Sequence, residues 1–196
     1  MKLFLLDVDS TLINEEVIEL IAAHAGVEKE VAQITERAMA GELDFAASLR
    51  ERVSLLSGIS SEALLEVGKK VTLTNGALEL IEAIHDAGDI AAVVSGGFLE
   101  VITPIMQQLG VEDFLANTLE VADGLLTGKV SGRIVDREAK AARAGSVHRR
   151  GGHGQVAGIG TAVDHIDAAV EVGRDNVGQP ISIDVAHDLD IRGEKL

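Results

Sequence analysis

The sequence has no cysteine, tryptophan or tyrosine, and only two prolines and four phenylalanines in 196 residues. Without cysteine there can be no disulfide, no thiolate zinc site and no thiol nucleophile. With so few aromatic rings the core has to be built from Leu, Ile, Val and Ala, and a surface that stacks nucleic-acid bases has little to stack them on. Positive charge is also scarce: 17 Lys and Arg stand against 32 Asp and Glu, a formal net charge of −15. A surface this acidic argues against a nucleic-acid partner. Any phosphate-binding site must then be positive locally, through a metal, a few Lys or Arg side chains and backbone N–H groups. No run of about 18 apolar residues occurs, and the apolar start Met1 to Leu6 is too short for a signal or membrane segment. A cytoplasmic protein is expected. What remains is ordinary for a globular chain, 46% hydrophobic and 25% charged.

The apolar run Lys2 to Leu6, ended by Asp7-Val8-Asp9, predicts a buried parallel strand. From Glu15 to about Val71 the period is helical. Gly26 and Gly41 stop the first two helices, a third runs from Asp44 to Leu56, and Ser60 or Ser61 caps a fourth. Ala77 to Ala87 predicts a further helix, Ile90 to Val94 a second buried strand, and Phe98 to Leu109 a helix that must accommodate Pro104. Asp123-Gly124 between β-like runs is a hairpin signal. Strand and helix alternating in this way imply an α/β fold with a parallel sheet and a four-helix block inserted after the first strand. The expected division is a discontinuous core over residues 1–13 and 73–196 and a helical unit over 14–72.

Three places carry chemistry. Asp7-Val8-Asp9-Ser10-Thr11 falls where ligands bind in an open α/β sheet, beyond the carboxyl end of a strand. Two carboxylates two residues apart, followed by hydroxyls, make a hard-oxygen site suited to magnesium. One acid can attack phosphorus while the other handles the leaving-group proton. Ser95-Gly96-Gly97 at the end of the second strand would let backbone N–H groups approach an anion. Lys140 could supply a compact cation to a phosphate. Spacing alone leaves the bland alternatives open: a strand-to-loop turn, a β-turn before a helix, a solvated lysine, and plain helix-surface charge for Glu16 and Arg52.

Taken together, DVDSTLINEEVIELIA, ITERAMAGELDFAASLRERVSLLSG, TNGALELI, AVVSGGF and ANTLEVADGLLTGKVSGRIVDREAKA resemble the haloacid-dehalogenase superfamily and, within it, the phosphoserine phosphatases. The resemblance spans residues 3 to about 141. It implies a Rossmann-like core with an inserted helical cap, and hydrolysis of O-phosphoserine, the last step of serine biosynthesis, through an aspartyl-phosphate. It also implies Asp7 as nucleophile and Mg2+ ligand, and Asp9 as general acid/base that binds the metal through its carbonyl. Ser95 and Gly96 would hold phosphoryl oxygens, with Lys140 offsetting their charge. From the cap, Glu16 would meet the substrate's amino group and Arg52 its carboxylate.

The sequence departs from the family after Lys140. The strand ending in GDGxND, which completes the family's metal site, is missing; its nearest remnant is VAGIGTAVDHID, with Asp167 the better placed third ligand and Asp164 its rival. Gln179 stands where the later family segment has Lys. Four of the six His fall after Lys140, and residues 141–154 show no usable period. A slip of the reading frame accounts for this: codons for RAGSVHRRGGH, read one base later, can spell ALGQFTAEAG, a helix-forming segment. Divergence is the rival explanation, and re-reading the coding DNA decides between them. Two functional readings stand beside phosphoserine hydrolysis. One is a phosphatase for another small phosphomonoester; the other is an impaired relative that only binds a phosphorylated ligand.

Overall fold

A computed structural model describes residues 2–140, 142–143, 156–159, 169–171 and 184–186. The first strand, β1 (Leu3–Leu6), has both flanks occupied, pairing in parallel with β2 (Ile90–Phe98) on one side and β5 (Val156–Ile159) on the other. Its near-continuous apolar sequence suits that central place, with Leu3 and Leu6 buried and Phe4 and Leu5 partly so. Beyond β2 lies β3 (Asp113–Ala122), parallel at its start, and then β4 (Leu125–Ser131), antiparallel at the edge. The sheet order is β4-β3-β2-β1-β5, with a separate antiparallel pair of β6 (Ala169–Glu171) and β7 (Asp184–Ala186). This is a Rossmann-like α/β arrangement.

Four consecutive helices follow β1: α1 (Val17–Ala25), α2 (Glu28–Met39), α3 (Phe45–Ser54) and α4 (Ser61–Gly68). Gly26 ends α1 in the left-handed region, φ 72°, where its N–H reaches back to the last turn. Asp44 and Ser60 cap α3 and α4 by accepting from Ala47 N and Ala63 N. The chain enters and leaves this run at one place. Ile13 and Leu73 form an antiparallel bridge, Asn14 N donates to Thr72 O and Thr74 N donates to Leu12 O. Helices α5 (Ala77–Asp86) and α6 (Leu99–Leu109) then flank β2 in sequence. The core is aliphatic as the composition requires; Phe98 is the one fully buried ring among the described residues.

Two strands are longer than the sequence suggests. The second does not stop at Val94 but runs through Ser95-Gly96-Gly97 to Phe98. Its pairing with β3 jumps there from Val94↔Leu115 to Phe98↔Asn117, so four steps along β2 oppose two along β3. The Ser-Gly-Gly segment is thus a bulge within a strand rather than a turn after it. The third strand begins at Asp113, six residues before Leu119, and its first part is parallel to β2. It ends in the predicted hairpin, where Asp123 (φ 51°) and Gly124 (φ 77°) both take the left-handed conformation of a tight two-residue turn.

Candidate active site

The register Leu6↔Val93 sets the carboxyl ends of β1 and β2 side by side, which brings Asp7 and Asp9 to Ser95. Both acids are buried, each 8% exposed. The Asp7 carboxylate accepts from Val8 N through Oδ1 at 2.8 Å and from Lys140 Nζ through Oδ2 at 2.7 Å. Lys140 lies on a helical stretch over residues 137–140 and is itself buried. A charge-assisted contact between buried partners 133 positions apart reflects a tertiary arrangement, not a local accident.

Asp9 is held differently. Its Oδ1 accepts from Val17 N, the first residue of α1, at 2.8 Å, and its Oδ2 accepts from Ser95 Oγ at 3.1 Å. Ser95 Oγ in turn accepts from Gly97 N at 2.8 Å. Burial, partly opposed by the Val17 N–H bond and reinforced by the nearby Glu16 and Asp7 charges, pushes the Asp9 carboxyl up from 3.8 to about 7. A carboxyl poised near neutrality can both give and take a proton, as general acid/base work requires.

Glu16 and Arg52 belong to a neighbouring cavity of about 260 Å³, with Phe45, Ser48, Met39 and Lys140 also in its wall. That volume suits a small metabolite rather than a drug-sized ligand. Glu16 Oε1 accepts from Ser10 Oγ at 2.6 Å, and a carboxylate has capacity for a second donor. Arg52 Nε is 3.4 Å from Ser48 O, one turn back on α3. Lys140 joins the two regions, lining the cavity while touching Asp7. The described sequence-predicted residues Asp7, Asp9, Glu16, Arg52, Ser95 and Lys140 are therefore brought together. Gly96 stands beside them with its carbonyl held by Asn117 Nδ2 at 2.8 Å. Asp164, Asp167 and Gln179 lie outside the described residues.

Two further residues shape the site: Gly97, which the sequence offered only as part of the anion-binding Ser95-Gly96-Gly97 segment, and Asn117, which spacing did not single out. A Cβ on Gly97 would stand 2.7 Å from Asp9 Oδ2 and 3.1 Å from Ser95 Oγ, so only glycine lets β2 come this close to the acid. The second is Asn117, 1% exposed in mid-strand, where polar residues are uncommon. Its bonds are visible only in three dimensions.

Whether these residues fit a divalent cation can be judged from their charge. Among the described residues two buried acids, Asp7 and Asp9, stand with one buried base, Lys140, and the oxygens of the two acids are the hard donors magnesium takes. The donor chemistry fits such an ion, although no cluster of three acid, His or Cys ligands occurs among the described residues. Among the described residues no helix is long and apolar enough to cross a membrane.

Residues 4–160 match the family model of the haloacid dehalogenase-like hydrolases. A phosphoserine phosphatase of Streptomyces coelicolor is 53% identical over 140 residues, covering 71% of this chain and 34% of the relative. One from Streptococcus thermophilus is 47% identical over 141 residues, covering 72% of this chain and 66% of the relative. The chain thus spans only part of the length of these curated relatives. Among solved structures, one described as a phospho-aspartyl intermediate analogue of phosphoserine phosphatase superposes with a TM-score of 0.78 at 41% identity, covering 84% of this chain and 80% of the other.

Proposed function

The chain belongs to the haloacid dehalogenase-like hydrolase family, and on that premise we propose that it hydrolyses O-phosphoserine to serine and phosphate through an aspartyl-phosphate on Asp7. The observation that carries this reading is the buried contact between Lys140 Nζ and Asp7 Oδ2 at 2.7 Å, next to an acid poised near neutrality. In the first step a carboxylate oxygen of Asp7 bonds to phosphorus, the ester P–O bond breaks, and protonated Asp9 gives its proton to the departing serine oxygen. In the second, Asp9 takes a proton from water as the water oxygen bonds to phosphorus, releasing phosphate and restoring the Asp7 carboxylate. Lys140, Ser95 and the backbone of the Ser95–Gly97 bulge offset charge on the phosphoryl oxygens.

Magnesium would be held by the Asp7 carboxylate and the Asp9 carbonyl, with Asp167 as the proposed third ligand, and when bound it would neutralise phosphoryl charge. Glu16 and Arg52 face one cavity with opposite charges, matching the ammonium and carboxylate of an amino acid. This explains how a protein of net charge −15 selects a small phosphorylated amino acid. The proposed setting is the end of serine biosynthesis in the cytoplasm.

A second reading has its own support. With no group of three acid, His or Cys side chains placed to hold a metal among the described residues, the chain could bind a phosphorylated ligand without turning it over. Phosphate release from O-phospho-L-serine, with and without magnesium and with an Asp7→Asn control, separates the two. Magnesium-dependent release abolished by the substitution is expected. Phosphoserine binding without any release would favour the second reading.

A further inference from the structure

We propose that Asn117 is a positioning residue that locks the Ser95–Gly97 bulge and the Lys140 segment into one fixed relation, so that both meet the same phosphoryl group. The proposal rests on the phosphatase reading above for its consequence in catalysis, but not for the coupling itself.

The need for such a link begins in the sheet. Where the pairing of β2 with β3 jumps from Val94↔Leu115 to Phe98↔Asn117, the bulged residues lose their regular ladder partners. Backbone groups buried there have to be satisfied some other way. Asn117 provides it for Gly96, whose carbonyl accepts from Asn117 Nδ2 at 2.8 Å. The same amide's Oδ1 accepts from Val135 N, also at 2.8 Å. Its orientation is unambiguous, since a carbonyl can only accept and a backbone N–H can only donate.

Val135 leads directly into the segment that carries Lys140. Asp136 follows it, accepting from Ala139 N through Oδ1 and from Lys140 N through its carbonyl. The bonds therefore close a ring through the site. Asp7 meets Lys140, whose backbone is tied to Asp136; Val135 meets Asn117, Asn117 meets Gly96, and Ser95 meets Asp9, two residues from Asp7. Every other contact in that ring joins groups with proposed roles in the chemistry or their own backbone. Asn117 touches neither Asp7 nor Asp9 in these bonds, yet its one amide ties the Gly96 carbonyl of the bulge to Val135 N at the head of the Lys140 segment. An amide offers a donor and an acceptor on two separate atoms of one short side chain that carries no charge. Aspartate keeps the acceptor and, once ionised, lacks the donor; leucine, of similar shape, lacks both.

The test uses the full chain with Asn117→Asp, at an alkaline pH where the new carboxyl is ionised, and Asn117→Leu. Amide NMR signals and hydrogen exchange of Gly96, Gly97 and Val135 report the two links separately. In the Asp variant the Gly96 and Gly97 signals should move while Val135 N–H stays protected. In the Leu variant both links should be lost. With O-phosphoserine as substrate, kcat should fall on the order of a hundredfold in each, as misplacement of catalytic groups does, with KM changed much less. If the Leu variant does not fold, the Asp variant carries the test. Unmoved Gly96 and Val135 signals in a folded variant, or undiminished kcat with displaced signals, would overturn the proposal. A wild-type chain with no turnover would instead count against the phosphatase reading, while the amide signals still decide the coupling.

Discussion

Replacing Asp9 by Asn should stabilise the metal-free protein, and by an amount that depends on pH. The folded chain holds this carboxyl at about 7 against an ordinary 3.8, mainly because it is buried. Below pH 3.8 it is protonated in both folded and unfolded chains and its ionisation costs nothing. As pH rises from there, the unfolded chain ionises first, so stability falls until the folded carboxyl ionises as well near 7. Each factor of ten in the ionisation constant is worth about 1.4 kcal/mol, which makes the full loss about 4 kcal/mol. Asparagine is neutral throughout, its Oδ1 can still accept from Val17 N, and its Nδ2 can donate to Ser95 Oγ. Thermal melts in a chelating buffer should therefore show equal stability near pH 4 and a variant more stable at pH 8. At about 2–4 °C per kcal/mol for a chain of this size, the gap approaches 10 °C. A variant no more stable than wild type at pH 8, or a gap that does not change with pH, would refute the assignment of a buried, reluctantly ionised Asp9.

Three further substitutions probe the other parts of the site. Lys140→Met removes the buried cation beside Asp7 and should lower kcat by roughly a hundred- to a thousandfold, the usual cost of losing a preorganised charge stabiliser; near-wild-type turnover would place Lys140 outside the chemistry. Arg52→Ala should cut kcat/KM for O-phosphoserine by about ten- to a hundredfold, equivalent to about 1.4–3 kcal/mol, and leave p-nitrophenyl phosphate, which has no amino-acid end, largely unaffected. Equal losses on both substrates would remove Arg52 from carboxylate recognition. Gly97→Ala puts a Cβ 2.7 Å from Asp9 Oδ2; it should fold with an impaired site, measured as lost phosphate release at little change in melting temperature, and an active variant would show that the bulge yields easily.

What the sequence reveals and what it hides divide along physical lines. Local stereochemistry is legible. Gly26 stops a helix, Asp44 and Ser60 cap two others, and Asp123-Gly124 turns a hairpin, because each depends on a few neighbouring residues. The acids of DVDST are legible too, since a buried parallel strand delivers whatever follows it to the ligand-binding edge. The extent of β2 is not, because glycines at 96 and 97 read as a turn unless a neighbouring strand is known to tolerate a bulge. The start of β3 at Asp113 is hidden for a similar reason: Asp113-Phe114-Leu115-Ala116 is too short to show a period, and pairing with β2 decides its conformation. Gly97 and Asn117 owe their importance to atoms brought from distant parts of the chain, Asp9 to the one and Gly96 and Val135 to the other. No spacing rule reaches that far.

The proposed hydrolysis requires a covalent bond between phosphorus and Asp7. O-phosphoserine labelled in its phosphate should be mixed with the protein and magnesium, quenched in acid, and the labelled peptide mapped. A single acid-stable, hydroxylamine-sensitive label on the peptide that holds Asp7, absent from the Asp7→Asn variant, is the result the account predicts. Turnover without any trapped label, or a label that persists when Asp7 is replaced, would contradict it.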